Sequence, residues 1–246
     1  MLIIANWKAY VEDMPRAKKL LLLAKRLAHG NVSIVLAPPA PLLGALAAGN
    51  RSKVAFAAQD VSATAGGAHT GEATAAAFAA ARATYAIVGH SERRAAGETD
   101  ATVAIKLTHA LAHGLTPVLC VGERERDSDG RYLTSVREQL TLGLATLSPK
   151  ERSRIIVAYE PVWAIGKTAA DAIQPSDLAE MVAYIRKVLA EHLPGKSATR
   201  TKVLYGGSVE PENARDLAAA TGVDGFLVGH ASVDTASFAG LVRAVS

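Results

Sequence analysis

Short apolar runs recur along the chain at 2–5, 32–37, 54–58, 86–89, 116–121, 155–159, 202–205 and 224–228. They are rich in Val, Ile, Leu and Ala and lack strict polar alternation, as strands buried on both faces do. Between them, segments 15–28, 73–83, 99–112, 131–147, 176–190 and 211–220 repeat Leu, Ala and Val at helical spacing among Lys, Arg, Glu and Gln. The segment 40–48 carries a weaker helical signal, and 235–244 closes the series. Each strand-helix unit spans about 30 residues, the length of a right-handed crossover. Eight of them predict an α/β fold, a (β/α)8 barrel. A doubly wound open sheet is the competing arrangement, but no glycine fingerprint follows the first strand.

Punctuation along the chain agrees. Pro175-Ser-Asp177 and Glu210-Pro-Glu212 place Pro and acids at helix starts, where the missing N–H and the dipole favour them. Gly30 and Gly114 close the preceding helices. Ser148-Pro-Lys-Glu-Arg152 reads as a helix-to-strand loop, too short for a linker, so residues 1–246 are expected to form one barrel domain.

Composition narrows the classes. With 50% hydrophobic and 20% charged residues the chain is too apolar to stay disordered, and 5% aromatics leave its core to aliphatic side chains. Basic residues exceed acidic ones by four, but both signs are interspersed, as in Glu123-Arg-Glu-Arg-Asp127, with no aromatic-laced basic stripe. That argues against nucleic acid and leaves a small anionic ligand. No apolar run approaches the roughly 20 residues of a membrane span. One cysteine, Cys120, allows no internal disulfide, and Met1-Leu-Ile-Ile runs into Asn6-Trp7-Lys8 without the pattern of an export signal, so a cytoplasmic chain is expected.

The informative polar residues follow the predicted strands, at the end where a barrel of this kind carries its chemistry. Asn6 and Lys8 follow the first, His90 and Glu92 the fourth, and Glu160 ends the sixth. Gly206-Gly-Ser208 and Gly229-His-Ala-Ser232 follow the seventh and eighth. Singly, each has a blander reading as a surface cation, a core histidine or a helix cap; the shared end makes them a constellation. Late glycine turns expose backbone N–H groups that can wrap a phosphate. Ile165-Gly-Lys-Thr168 resembles the end of a mononucleotide loop, but Pro161 stands where that loop needs its first glycine. Lys8 would neutralise substrate oxygens and Glu160 would remove a carbon-bound proton. His90, kept neutral by a helix N-terminus, would donate to a carbonyl. Those steps make an enediol and exchange aldose with ketose, with no redox change and hence no cofactor or metal. A noncatalytic phosphate-binding barrel remains the alternative of a different class.

Asn6-Trp-Lys8, Gly89-His-Ser-Glu-Arg-Arg94, Ala158-Tyr-Glu-Pro-Val-Trp-Ala-Ile-Gly166 and Tyr205-Gly-Gly-Ser-Val209 closely resemble signatures of the triosephosphate isomerase family, and the likeness spans essentially the whole chain. The resemblance implies a glycolytic and gluconeogenic isomerase. Asn6 and Lys8 would bind substrate, His90 and Glu160 would be catalytic with Lys8, and Glu92 would support them. The phosphate would be held by backbone at Gly166, Ser208, Gly229 and His230. Pro161-Val162-Trp163 and Lys167-Thr168-Ala169 would be the hinges of a lid that keeps water from the enediol. A homodimer is implied too, with Thr70 reaching the partner's Asn6/Lys8 region, against a monomeric barrel with a protruding loop. Cys120 sits where the family also has Cys and is read as structural support. His109, His113 and His192 share no ligand spacing and are read as structural.

Departures cluster near the pocket and the implied interface. The lid is two residues shorter than usual, His230 replaces a small or polar residue, Val233 replaces Leu, Asp60 replaces Asn, and His69 stands where an apolar residue is common. A smaller Val233 would leave room for a longer sugar phosphate, so a four-carbon ketose-phosphate isomerase is the second expectation.

Overall fold

The computed structural model describes residues 1–166 and 172–246. Eight parallel strands close in chain order: β1 (Leu2–Asn6), β2 (Ser33–Ala37), β3 (Ala55–Ala58), β4 (Tyr85–Val88), β5 (Thr116–Val121), β6 (Ile156–Tyr159), β7 (Val203–Tyr205) and β8 (Gly225–Val228). Closure is made by β8 on β1, with Ala5 opposite Val228. Each strand falls within about a residue of its apolar run. The open sheet is thereby excluded.

The double-sided burial inferred from unbroken apolar runs has a direct cause. Leu2 and Ile4 of β1 point into the barrel with Val35, Ala37, Ile87, Val118, Cys120, Ala158 and Leu227. Their neighbours Ile3 and Ala5 pack outward with Ile34, Leu36, Phe56 and the helices. A period of two thus sends successive apolar side chains into two different cores.

The helices are α1 (Met14–Leu27), α2 (Ala40–Ala48), α3 (Ala75–Ala80), α4 (Ser91–Ala95), α5 (Asp100–Ala112), α6 (Arg131–Leu144), α7 (Pro149–Arg152), α8 (Pro175–His192), α9 (Ser197–Arg200), α10 (Ala214–Thr221) and α11 (Thr235–Ala244). Asp13, Thr74, Thr99 and Asp234 cap α1, α3, α5 and α11 through side-chain oxygens, each cap worth about 1 kcal/mol. Two expectations change. The presumed loop at 148–152 contains α7, closed by a reciprocal capping box between Ser148 and Glu151. The helix expected from 211 starts at Ala214, because Asn213 Oδ1 accepts the Glu210 N–H at 2.9 Å and holds a turn there. Among the described residues no helix is long and apolar enough to cross a membrane.

Cys120 lies wholly inside the barrel. Burial first, then the nearby Glu160 carboxylate, pushes its thiol well above the ordinary range. Native protein at pH 8 is therefore expected to take up almost no iodoacetamide, while protein unfolded in guanidinium takes one equivalent. Rapid native labelling would contradict this placement.

Candidate active site

The carboxyl ends of β1, β4, β6, β7 and β8 surround a cavity of about 250 Å³, lined by Asn6, Lys8, His90, Glu160, Gly166, Ser208, Gly229 and His230 among others. A larger hollow of about 670 Å³ adjoins it, sharing Glu160 and reaching Glu98, Cys120, Glu123 and Gln139. Lys8 and the late glycine turns line the smaller one, so that is where an anionic ligand finds its donors.

Lys8 has φ 46°, a left-handed backbone for a side-chain-bearing residue, which costs on the order of 1–3 kcal/mol. Its neighbours hold it there. Asn6 Oδ1 accepts the Lys8 N–H at 3.1 Å, and Gln59 Nε2 donates to the carbonyls of Lys8 and Ala37, both at 2.9 Å. The Lys8 ammonium meets Glu92 Oε1 at 2.7 Å. Despite partial burial, which opposes charge, that contact holds the Glu92 carboxyl below its usual range.

His90 caps α4, and its Nδ1 accepts the Glu92 N–H at 3.2 Å. This hydrogen bond assigns the mobile proton to Nε2, which lies 3.0 Å from Glu160 Oε1. Glu160 Oε2 accepts the Ser91 N–H at 2.9 Å. Burial opposes an imidazolium, but the Glu160 carboxylate, followed by Glu92, outweighs it and raises the ring's pKa. The expected lowering of this pKa by a helix N-terminus is not what the ring shows, since the carboxylates move it the other way. The helix has only five residues, and two carboxylates face the ring. Nδ1 can accept the Glu92 N–H only in the neutral ring, whose single proton then lies on Nε2.

Glu160 is only 2% exposed, and two glycines make room for it. A Cβ at Gly206 would stand 2.9 Å from Glu160 Cγ, and one at Gly122 would overlap the Glu160 carbonyl. Gln139 grips Gly122 from both sides, accepting its N–H at 2.8 Å and donating to its carbonyl at 3.0 Å. Beyond Pro161, a short 3-10 turn covers Val162–Ala164. Trp163 Nε1 donates to Glu123 Oε1 at 2.7 Å, and the Tyr159 hydroxyl donates to the same oxygen at 2.8 Å. After β7, Ser208 Oγ donates to the Ala164 carbonyl at 3.0 Å, tying the β7 turn to this segment. Gly166 has φ 72°, a left-handed turn that glycine enters without strain.

Gln59, Glu123 and Gln139 were not singled out by the sequence. Gln59 and Glu123 follow β3 and β5 directly, so the strand-end rule that found Glu160 would have found them; Gln139, inside α6, gave no such signal. Val233 is corrected: its side chain is buried in the outer core and does not line the cavity. Asp60 turns from the cavity too, binding Lys106 at 2.7 and 2.8 Å and Arg93 at 3.1 Å. Thr70 stands in the exposed stretch 65–73. The second hinge, Lys167, Thr168 and Ala169, lies outside the described residues.

Comparison with known proteins gives the same direction over the full length. The family model described as triosephosphate isomerase matches residues 1–245. The triosephosphate isomerase of Ralstonia nicotianae is 44% identical, with 99% of this chain and 98% of the relative aligned. That of Cupriavidus necator is 43% identical, with 96% of each covered, and that of Symbiobacterium thermophilum 39% identical over 100% and 96%.

Proposed function

Because the chain belongs to the triosephosphate isomerase family, we propose that it interconverts dihydroxyacetone phosphate and glyceraldehyde 3-phosphate through an enediolate. One observation carries the reading: Lys8, His90 and Glu160 come from three distant strands to one cavity whose far wall is the glycine turns after β7 and β8. Glu160 leaves Ser91 and His90 to remove a proton from C1 of the ketose, and His90 Nε2–H donates to the carbonyl oxygen. Lys8 balances the negative charge. Within the enediolate His90 Nε2 passes the hydroxyl proton from O1 to O2, and return of the carbon-bound proton to C2 by Glu160 leaves the aldehyde at C1 and the hydroxyl at C2. Incubating dihydroxyacetone phosphate with the protein in D2O is expected to give glyceraldehyde 3-phosphate deuterated at C2, read by NMR. Saturable binding without exchange would instead identify a noncatalytic phosphate-binding barrel. The four-carbon reading loses its support, since Val233 is off the cavity and the relatives compared are named triosephosphate isomerases.

The same reading makes Pro161, Val162 and Trp163 the first hinge of a lid, anchored on Glu123. Trp163→Phe deletes the indole donor while keeping a ring, leaving Glu123 Oε1 with Tyr159 alone. Inorganic phosphate released per isomerisation is expected to rise severalfold, measured by coupled phosphate assay; an unchanged ratio removes Trp163 from control of closure. The chain further reads as one cytoplasmic domain acting as a homodimer through the 65–73 segment. Light scattering should return twice the chain mass, and Thr70→Arg should lower both mass and turnover. An active monomer would reject the interface.

A further inference from the structure

Two side chains at the phosphate end of the cavity have no part in the proton transfers. The Glu210 carboxylate, two residues beyond Ser208, and the His230 ring, next to Gly229, both line it. A half-buried carboxylate is an adverse neighbour for a dianion, and nothing in the isomerisation calls for one there. His230 stands exposed at the rim, its ring edge-on to Tyr10 with centroids 5.6 Å apart and planes at 84°. Across from it, the Lys8 side chain runs past Gly229.

We propose that Glu210 and His230, which face the same cavity, set its affinity for the substrate's phosphate in opposite directions, the Glu210 carboxylate weakening it and the His230 ring N–H strengthening it. The inference rests on the reading above that the phosphate end of the ligand lies against the Ser208 and Gly229 turns. Other charges facing the pair are Lys8 from the β1 loop, Arg16 of α1, which bonds the carbonyls of Tyr10 and Val233, Glu212, and Asp234 at the start of α11. Burial pushes the Glu210 carboxyl up; His230 opposes that rise and Glu212 adds to it. Glu210 consequently sheds its charge at a higher pH than an ordinary carboxylate as acid is added.

Calorimetric titration with inorganic sulfate, a dianion throughout this pH range, reads the pair without turnover. At pH 8, Glu210→Gln is expected to tighten sulfate binding about fivefold, the scale of one screened charge at close range. Toward pH 5 that gain should shrink. His230→Ala should weaken binding about threefold at pH 8, and less in the Glu210→Gln background. KM for the triose phosphates should move in the same order. Tightening by Glu210→Gln that persists unchanged to pH 5, no tightening at pH 8, or no loss from His230→Ala would each overturn the proposal. Failure of the isomerase reading shows separately, as absence of deuterium exchange in a protein whose sulfate binding still follows this pattern.

Discussion

Replacing Glu160 with Asp is expected to lower kcat by about a hundredfold or more with a much smaller change in KM. The charge survives; its position does not. Both oxygens of Glu160 are seated, on His90 Nε2 and on the Ser91 N–H, and its backbone is held by the Val121 carbonyl at 2.8 Å. An Asp carboxylate on that fixed backbone falls short by a methylene, and a misplacement of about 1 Å is worth about two orders of magnitude in an oriented proton transfer. Glu160→Gln, which removes the base, should lose more, up to about 10⁴-fold. Steady-state kinetics on protein with an unchanged circular dichroism spectrum decides it, and unaltered turnover in the Asp variant would reject Glu160 as the base.

His90→Gln is the second large effect, about 10²- to 10³-fold in kcat, the usual loss when one preorganised donor to a developing oxyanion is removed. A glutamine amide can still donate, but it lacks the Glu92 N–H contact at Nδ1 that fixes the ring. A stability signature accompanies the kinetic one. Because the folded ring's pKa is raised, chiefly by Glu160 against the opposing effect of burial, its charged pairing stabilises the native state fully below the unfolded value. That stabilisation is lost as pH rises through the folded one. The melting-temperature gap between wild type and His90→Gln should therefore be wider at pH 5 than at pH 9. A gap that widens with rising pH would show that Glu160 does not raise the pKa of this ring.

The legible parts of the molecule were those with a local cause. β5 was read at its observed bounds because six apolar residues between Gly114 and Gly122 have one comfortable conformation, and α8 because Pro175 and a long 3.6-residue repeat mark it. The short helices α7 and α9 were not seen, since four residues hold too little of a helical period to detect, whereas α4 was placed only through the helix start expected at His90. Asn6, Lys8, His90 and Glu160 were found through their place after strands. Val233 was misjudged because adjacency in sequence to a phosphate turn says nothing about which way a side chain faces.

The sequence by itself determined the order and number of strands, the helices long enough to show a period, and the end of the barrel where the candidate polar residues gather, because each follows from side-chain type within a few residues. Only the tertiary structure decided what touches what. Closure of β8 on β1 brings His230 and Tyr10 together, the meeting of β4 and β6 ends sets Glu160 on Ser91 across 69 residues of chain, and Gln59 holds Lys8 in its left-handed turn. The direction of the His90 pKa was set there as well: electrostatic fields fall off with distance in space, and the Glu160 carboxylate, 70 residues away in sequence, lies 3.0 Å from that ring.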